Sequence, residues 1–373
     1  MKPPLRLDPN APRAAQGDAI EVLDYHTGGE PFRIVISGYP ELAGTSILER
    51  RRSALQEHDH LRKLLMWEPR GHADMYGGIL VPPDHAEAQV GVLFMHNEGY
   101  STMCGHGTIA LATALIESGA IAAVGTETPI GIDAPCGLVR ATALVHADEL
   151  AAARAAGRTP RVHEVRFENV PSFAAALDVQ LEVPGYGRLT IDVGYGGAFY
   201  ALIDAAALGL EMTAENAAAL TAAGRAIADA GRAALRRGGP LAAALGVAHP
   251  LEDDLSFLYG AIIAGSPEDP AHHSRNLCVF AEGEVDRSPT GSGVSARLAV
   301  LHARSLVAQG EEVAIESILG RNSLFIGRVA RVEEWAGRTA VIPEVHGSAH
   351  MTGSARFVLD ANDPIGRGFL VAR

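Results

Sequence analysis

The residues able to do chemistry in this chain begin with three cysteines, Cys104, Cys136 and Cys278, whose surroundings differ. Cys104 stands in Met103-Cys104-Gly105-His106-Gly107, which opens an alanine-rich helical stretch running to Ser118-Gly119. A thiol at the first turn of a helix meets unpaired N–H groups and the positive end of the helix dipole, which favour the thiolate and lower its pKa from about 8.5. Cys104 is therefore a candidate base or nucleophile, the bland alternative being a buried cysteine that closes a helix. Glycines on both sides of His106 leave N–H groups bare, so the same turn can hold a carboxylate. Cys136, in Pro135-Cys136-Gly137, and Cys278, inside an apolar strand, read as structural.

A second glycine-spaced corner, Asp286-Arg287-Ser288-Pro289-Thr290-Gly291-Ser292-Gly293, precedes another helical stretch, Val294 to Gln309. It again sets N–H donors at a helix start, with a carboxylate four residues ahead of Thr290. No Gly-Lys pair follows, and the spacing is not that of a nucleotide phosphate loop. A small zwitterion suits the two corners better, its carboxylate between two helix N-termini and its ammonium or imino group on Asp286. His72 and Asp74 would be two ligands on one short loop, a weak signal for a metal. His272-His273, His346 and His350 lack ligand spacing and read as surface or hydrogen-bonded structural residues.

The elements around these corners come in a repeating order. Ile20, Val22 and Leu23 are strand-like, Thr27-Gly28-Gly29 makes a turn, and Phe32 to Ile36 returns as a second strand. A helix is expected over Leu42 to Trp67, strands at Ile79–Val81 and Val90–Phe94, then the Cys104 helix, then short strands from Gly131 to Val145. The Ala147–Thr159 segment reads as a connector. Strands follow at Val162–Val170, Leu177–Val183 and Ile191–Val193, then a helix over Thr213–Arg237, strands at Ser256–Ile263 and Leu277–Phe280, and the Thr290 corner. Asp24-x-x-x-Gly28-Gly29 aligns with Asp192-x-x-x-Gly196-Gly197, and Phe32 then falls on Tyr200. Cys104-Gly105-His106-Gly107 aligns with Thr290-Gly291-Ser292-Gly293, carrying Ala110 onto Ala296. Two matches in the same order indicate a duplicated α/β unit (α+β in its use of mixed strands), with residues 18–157 and 158–349 as halves and one cleft between them.

Composition narrows the partners. With 31 Lys+Arg against 44 Asp+Glu the net charge is −13, and no basic block could neutralise a run of phosphates, which excludes nucleic acid. No window approaches the ~20 apolar residues of a membrane span. Three scattered cysteines supply neither a disulfide framework nor a structural zinc site, so a reducing, cytoplasmic setting is expected. Residues 1–17, with charges among prolines and no continuous apolar core, read as a flexible leader rather than a signal peptide. The expected partner is a small-molecule substrate, with a homodimer left open.

The Met103–Gly107 and Asp286–Gly293 stretches resemble the two active-site signatures of the proline racemase family. Asp24-Tyr25-His26-Thr27-Gly28-Gly29-Glu30-Pro31, Arg70-Gly71-His72-Ala73-Asp74-Met75-Tyr76-Gly77 and Gly194-Tyr195-Gly196-Gly197 are similar to other stretches of that family, in the same order. The resemblance implies a diaminopimelate-epimerase-like fold, two pseudo-symmetric halves with substrate between them, and no metal or organic cofactor. It also implies that the chain end, residues 350–373, returns to the first half. By position, Gly105, His106, Gly291 and Ser292 would bind the substrate carboxylate and Asp286 the ring nitrogen. Racemases and epimerases of the family carry cysteine at both corners, one on each face of Cα. Here Thr290 takes the second place, and an aliphatic hydroxyl is neither ionised near neutral pH nor an effective acid for a carbanion. The branch that pairs cysteine with threonine dehydrates trans-3-hydroxy-L-proline to pyrroline-2-carboxylate, with Cys104 as the base. Racemisation or epimerisation of a proline-like amino acid is the alternative. A non-catalytic amino-acid binder and a cysteine hydrolase are the remaining ones.

Overall fold

In the computed structural model, which describes residues 19–360 and 362–371, the chain opens on the expected hairpin, β1 (Ala19–Thr27) and β2 (Glu30–Ser37). The leader expected over 1–17 lies outside the described residues. Next come α1 (Ile47–Glu57), α2 (Asp59–Met66), β3 (Tyr76–Val81), β4 (Val90–His96), the two-residue β5 (Tyr100–Ser101), α3 (Gly105–Glu117), β6 (Glu127–Ala134), β7 (Gly137–Leu144) and α4 (Ala147–Ala156). The second half runs through β8 (Glu164–Glu168), β9 (Phe173–Val183), β10 (Gly187–Tyr195), β11 (Phe199–Asp204), α5 (Ala217–Arg237), α6 (Pro240–Leu245), β12 (Leu258–Gly265), β13 (Ser274–Phe280), β14 (Glu284–Asp286), α7 (Gly291–Ala303), β15 (Glu312–Ser317), β16 (Gly320–Trp335) and β17 (Arg338–Gly347). The last strand, β18 (Ala349–Val358), goes back to pair antiparallel with β1, Ala19 opposite Val358.

The duplication is written in the strand pairings. In the first half β1–β2 is antiparallel, β2–β3 parallel, β3–β4 antiparallel and β4–β6 parallel. In the second, β10–β11, β11–β12, β12–β13 and β13–β15 repeat that series in the same senses. β9 lies against β10 as β18 lies against β1. Strand β8 pairs with both β7 and β17, so a backbone ladder joins the halves.

Both central helices are buried almost throughout, α3 from Gly105 to Ile116 and α7 from Gly291 to Val300. That is why they are built from Gly, Ala, Thr, Ser and aliphatic residues with little polar face: a helix surrounded on all sides needs apolar or small groups all round. One apolar core contains residues of both helices and both halves, among them Phe32, Phe94, Ile109, Phe167, Ile262, Val294 and Phe325. A second core packs α5 on the outer side of the β11–β13 strands through Leu220, Ile227 and Leu277, and a third packs α1 and α2 over β3 and β4.

Three elements differ from expectation. The single helix expected over 42–67 is two helices, because Ser46 and Glu49 form a capping box that starts α1 at Ile47, and His58 leaves the helical region at φ −125°, ψ 12°. The 147–159 connector is the helix α4, with Asp148 and Glu149 at its positive end, Arg154 at its negative end and Gly157 ending it at φ 62°. Helix α7 begins on its glycines and stops at Ala303, two residues before Ser305 turns left-handed at φ 58°.

Candidate active site

Cys104 is the N-cap of α3, extended at φ −145°, ψ 110°, and its Sγ accepts the Gly107 N–H at 3.1 Å. The sulfur therefore occupies the place a serine oxygen takes at other helix starts. His106 Nδ1 lies 3.3 Å from Sγ, and the His106 ring stands edge-on to Phe32 and Tyr76, with centroids 5.8 and 4.9 Å away. Its backbone oxygen accepts the Thr27 hydroxyl at 3.0 Å, which ties the β1–β2 turn to this corner.

Thr290 is the N-cap of α7 at φ 66°, ψ 93°, a conformation disfavoured for a β-branched residue. The surroundings hold it there. Asp286 Oδ1 accepts the Ser288 N–H at 2.7 Å, and Ser288 Oγ accepts the Thr290 N–H at 3.1 Å. Asn276 donates to the Pro289 carbonyl at 3.2 Å, and buried Arg297 donates to Asn276 Oδ1 at 2.7 Å. Across the halves, buried Glu30 accepts both the backbone N–H and Nε of Arg287 at 2.7 Å. The Thr290 Oγ1 itself is buried without a hydrogen-bond partner among the described residues, with Cys278 on the same cavity wall.

The two helix starts meet glycine to glycine. A Cβ on Gly105 would lie 2.4 Å from the Gly291 Cα, and one on Gly291 would lie 2.7 Å from the Gly105 Cα. Absence of side chains at both positions brings two sets of backbone N–H groups to one point. Beside them is a tight cavity of about 10 Å³. Its walls include Cys104, Gly105, His106, Asp286, Thr290, Gly291 and Ser292, so every residue singled out at the two corners is brought together there. Asp286 Oδ2 lies 3.8 Å from His106 Nδ1, and Ser292 Oγ shares a 2.7 Å hydrogen bond with the Tyr200 hydroxyl.

Other wall residues were not read from sequence: Met103, Tyr76, Tyr200, Tyr259, Phe280 and Cys278. Tyr200 had a signal in its alignment with Phe32, and Tyr76 lay in a stretch noted for other residues. Tyr259 and Phe280 had none: Phe280 shares a face of β13 with Cys278, and Tyr259 is the extra residue where the β11–β12 register shifts. Cys278, read as structural, also lines this cavity. It sits opposite Asp286 in the β13–β14 pair, so it and Phe280, two residues on, share the face that lines the cavity. Cys136 lies elsewhere, next to Gly197.

His72 Nδ1 is bonded to the Ala73 carbonyl at 2.7 Å, and Asp74 Oδ1 accepts the Val285 N–H at 3.2 Å. Among the described residues no group of three His, Cys, Asp or Glu side chains could hold a metal ion. His272 bonds Glu316 at 2.8 Å and His346 bonds both Glu164 and Glu344, as structural histidines do.

Burial reverses the expected acidity of Cys104. Loss of water and then the Asp286 carboxylate push the thiol well above its ordinary value, against which the Gly107 N–H and the Tyr76 hydroxyl pull it down. The helix end contributes on the order of 0.3–1 kcal/mol, whereas an unpaired charge out of water costs several times that. Burial also pushes His106 down to about 4, so its ring is neutral near pH 7. Tyr76, Tyr200 and Tyr259 are held well above the usual phenol range by burial and are hydrogen-bond donors as well as acceptors. Parted to admit a ligand, these walls can hold a small carboxylate on backbone N–H groups, offer it the Cys104 sulfur as base, and face its other side with a hydroxyl.

Two pseudo-symmetric α/β halves enclosing a small cavity at paired helix starts define the class, an enzyme of the diaminopimelate-epimerase-like fold. The chain belongs to the proline racemase family: the family model described as "Proline racemase" matches residues 22–370. Among its relatives, the trans-3-hydroxy-L-proline dehydratase of Colwellia psychrerythraea is 44% identical over 94% of this chain and 92% of its own. The 3-hydroxyproline 2-epimerase of Burkholderia multivorans is 45% identical over 95% of this chain and 98% of its own. Among solved structures, the hydroxyproline epimerase from Agrobacterium vitis with bound trans-4-hydroxy-L-proline is 31% identical, with a TM-score of 0.83 over 95% of this chain and 96% of that one.

Proposed function

We propose that this enzyme dehydrates trans-3-hydroxy-L-proline to pyrroline-2-carboxylate, and the observation that carries the reading is the pairing of one thiol, Cys104, with one hydroxyl, Thr290, at facing helix starts. Backbone N–H groups of Gly105, His106, Gly291 and Ser292 hold the substrate carboxylate, where charge grows as the Cα–H bond breaks. Asp286 takes the ring nitrogen. Cys104 removes the Cα proton, which requires that substrate binding favour the thiolate that burial disfavours. Thr290 faces the opposite side of Cα and positions the ring without exchanging a proton. The proposal includes halves at 18–157 with 350–373 and at 158–349, consistent with the return of β18 to β1. It also includes a cytoplasmic location, in keeping with three free cysteines. No helix among the described residues is long and apolar enough to cross a membrane.

One observation favours epimerisation as a second reading: Cys278 brings another thiol to the cavity wall beside Thr290. Burial keeps that thiol protonated, as an acid must be. Incubation with trans-3-hydroxy-L-proline, L-proline and trans-4-hydroxy-L-proline separates the readings. The dehydratase forms a cyclic imine from the first alone. A product that keeps its hydroxyl and is lost in Cys278→Ala overturns the dehydratase reading in favour of the epimerase.

A further inference from the structure

The Cα of a proline ring has two ring neighbours, the nitrogen on one side and C3 on the other. If Asp286 takes the nitrogen, the fold's own duplication identifies what C3 meets. In the β13–β14 pair Cys278 stands opposite Asp286, and in the corresponding β4–β5 pair Phe94 stands opposite Ser101. Ser101 therefore holds in the first half the place that Asp286 holds in the second. Ser101 is fully buried, and its hydroxyl is hydrogen-bonded to that of Tyr76. The Tyr76 hydroxyl also lies 3.3 Å from that of Tyr259, and both tyrosines line the cavity. The Tyr76 ring is fixed by stacking on His96 at 5.7 Å and by its edge contact with His106 at 4.9 Å.

Resting on the dehydratase reading, we propose that the Tyr76 hydroxyl, supported by Ser101 and Tyr259, is the acid that protonates the departing 3-hydroxyl. In the trans isomer the Cα hydrogen and the 3-hydroxyl lie on the same ring face, opposite the carboxylate, so the leaving oxygen is beside the base. Tyr76 is on that side: it lines the cavity together with Cys104, and its ring packs edge-on against His106, whose Nδ1 is 3.3 Å from the Cys104 sulfur. In the step, the Cα–H bond breaks and an S–H bond forms. The released electron pair becomes the C2=C3 bond, the C3–O bond breaks, and the oxygen takes the phenolic proton and leaves as water. The proton on sulfur passes to the phenolate, restoring both Tyr76 and the thiolate. The enamine then gains a proton at C3 and loses one from nitrogen to give the imine, so no oxidant or reductant enters. A phenol far weaker than carboxylic acids suffices because the oxygen it serves is leaving as hydroxide, a stronger base.

The test compares wild type and Tyr76→Phe on trans-3-hydroxy-L-proline and on trans-3-chloro-L-proline, whose chloride leaves without a proton. Imine formation from the hydroxy substrate is expected to fall about 10²-fold or more in the variant. Deuterium uptake at Cα of unreacted substrate in D₂O should then become visible, with chloride elimination close to the wild-type rate. Equal losses on both substrates, or an unchanged rate on the hydroxy substrate, overturn the proposal. Should the variant not fold, the wild type decides: a solvent isotope effect on water loss that is absent from chloride loss supports the acid, and the same effect on both overturns it. Absence of imine from wild type overturns the functional reading and this inference with it. Imine from wild type with an unaffected Tyr76→Phe overturns this inference alone.

Discussion

Gly105→Ala adds one methyl group where the two helix starts meet, and its consequences can be worked from the geometry. The new Cβ would lie 2.4 Å from the Gly291 Cα and 3.0 Å from the Gly291 N and C atoms. Carbon atoms rest at roughly 3.5–4.0 Å, so the halves must part by about 1 Å at this point. The obstacle is backbone on both sides and cannot rotate away. Overpacking of this kind costs about 1–3 kcal/mol, partly offset by the gain of up to ~1 kcal/mol when alanine replaces glycine in a helix. The protein should fold, with a melting temperature lowered by a few degrees. Catalysis should suffer more, since a misplacement of about 1 Å between reacting groups costs on the order of 10²-fold in rate. The assay is imine formation at saturating substrate beside a thermal melt, with Gly99→Ala as the control because its Cβ meets nothing within 4 Å. A Gly105→Ala enzyme with wild-type kcat would refute the idea that glycine contact at the helix starts sets the geometry of the site.

Other outcomes follow from the same site. Cys104→Ser should fold and lose activity, whereas Cys136→Ala and Cys278→Ala should keep turnover; kinetics beside circular dichroism checks all three, and an active Cys104→Ala would remove the assigned base. Thr290→Cys should place a second thiol at the N-cap of α7 and give measurable racemisation of L-proline by chiral chromatography, with negligible racemisation expected from wild type; a folded variant that exchanges no Cα proton on that face contradicts the two-corner geometry. Because burial and Asp286 raise the Cys104 thiol well above its ordinary value, inactivation of substrate-free enzyme by iodoacetamide should speed up with rising pH and still climb beyond about pH 8.5, where a free thiol is half ionised. A rate that levels off below pH 7 would mean that the thiolate is already formed in the empty site.

The two corners were legible in sequence because their requirement is local: Gly105, Gly107, Gly291 and Gly293 are spaced as helix starts that must expose N–H groups, and the residues between them were read in place. The hairpin turn at Gly28-Gly29 was legible for the same reason, and the duplication followed from matching those local features. What escaped depends on distant pairing. Cys278 and Phe280 face the cavity only because β13 runs beside β14 in one register, and a one-residue slip would turn both away. Tyr259 reaches Tyr76 across the cleft from the other half. The break at His58 carries neither glycine nor proline, and α4 was masked by a composition shared by linkers and helices. The acidity of Cys104 could not be read either, because a sequence displays the helix start but not the water removed from it.

The most direct test of the central claim, one base on one face of Cα followed by loss of the 3-hydroxyl, is NMR of trans-3-hydroxy-L-proline with wild-type enzyme in D₂O. The expected result is conversion to pyrroline-2-carboxylate with no cis-3-hydroxy-D-proline at any time, and with much slower elimination from cis-3-hydroxy-L-proline, whose hydroxyl points away from Cys104. Accumulation of cis-3-hydroxy-D-proline carrying deuterium at Cα, without imine, would contradict it.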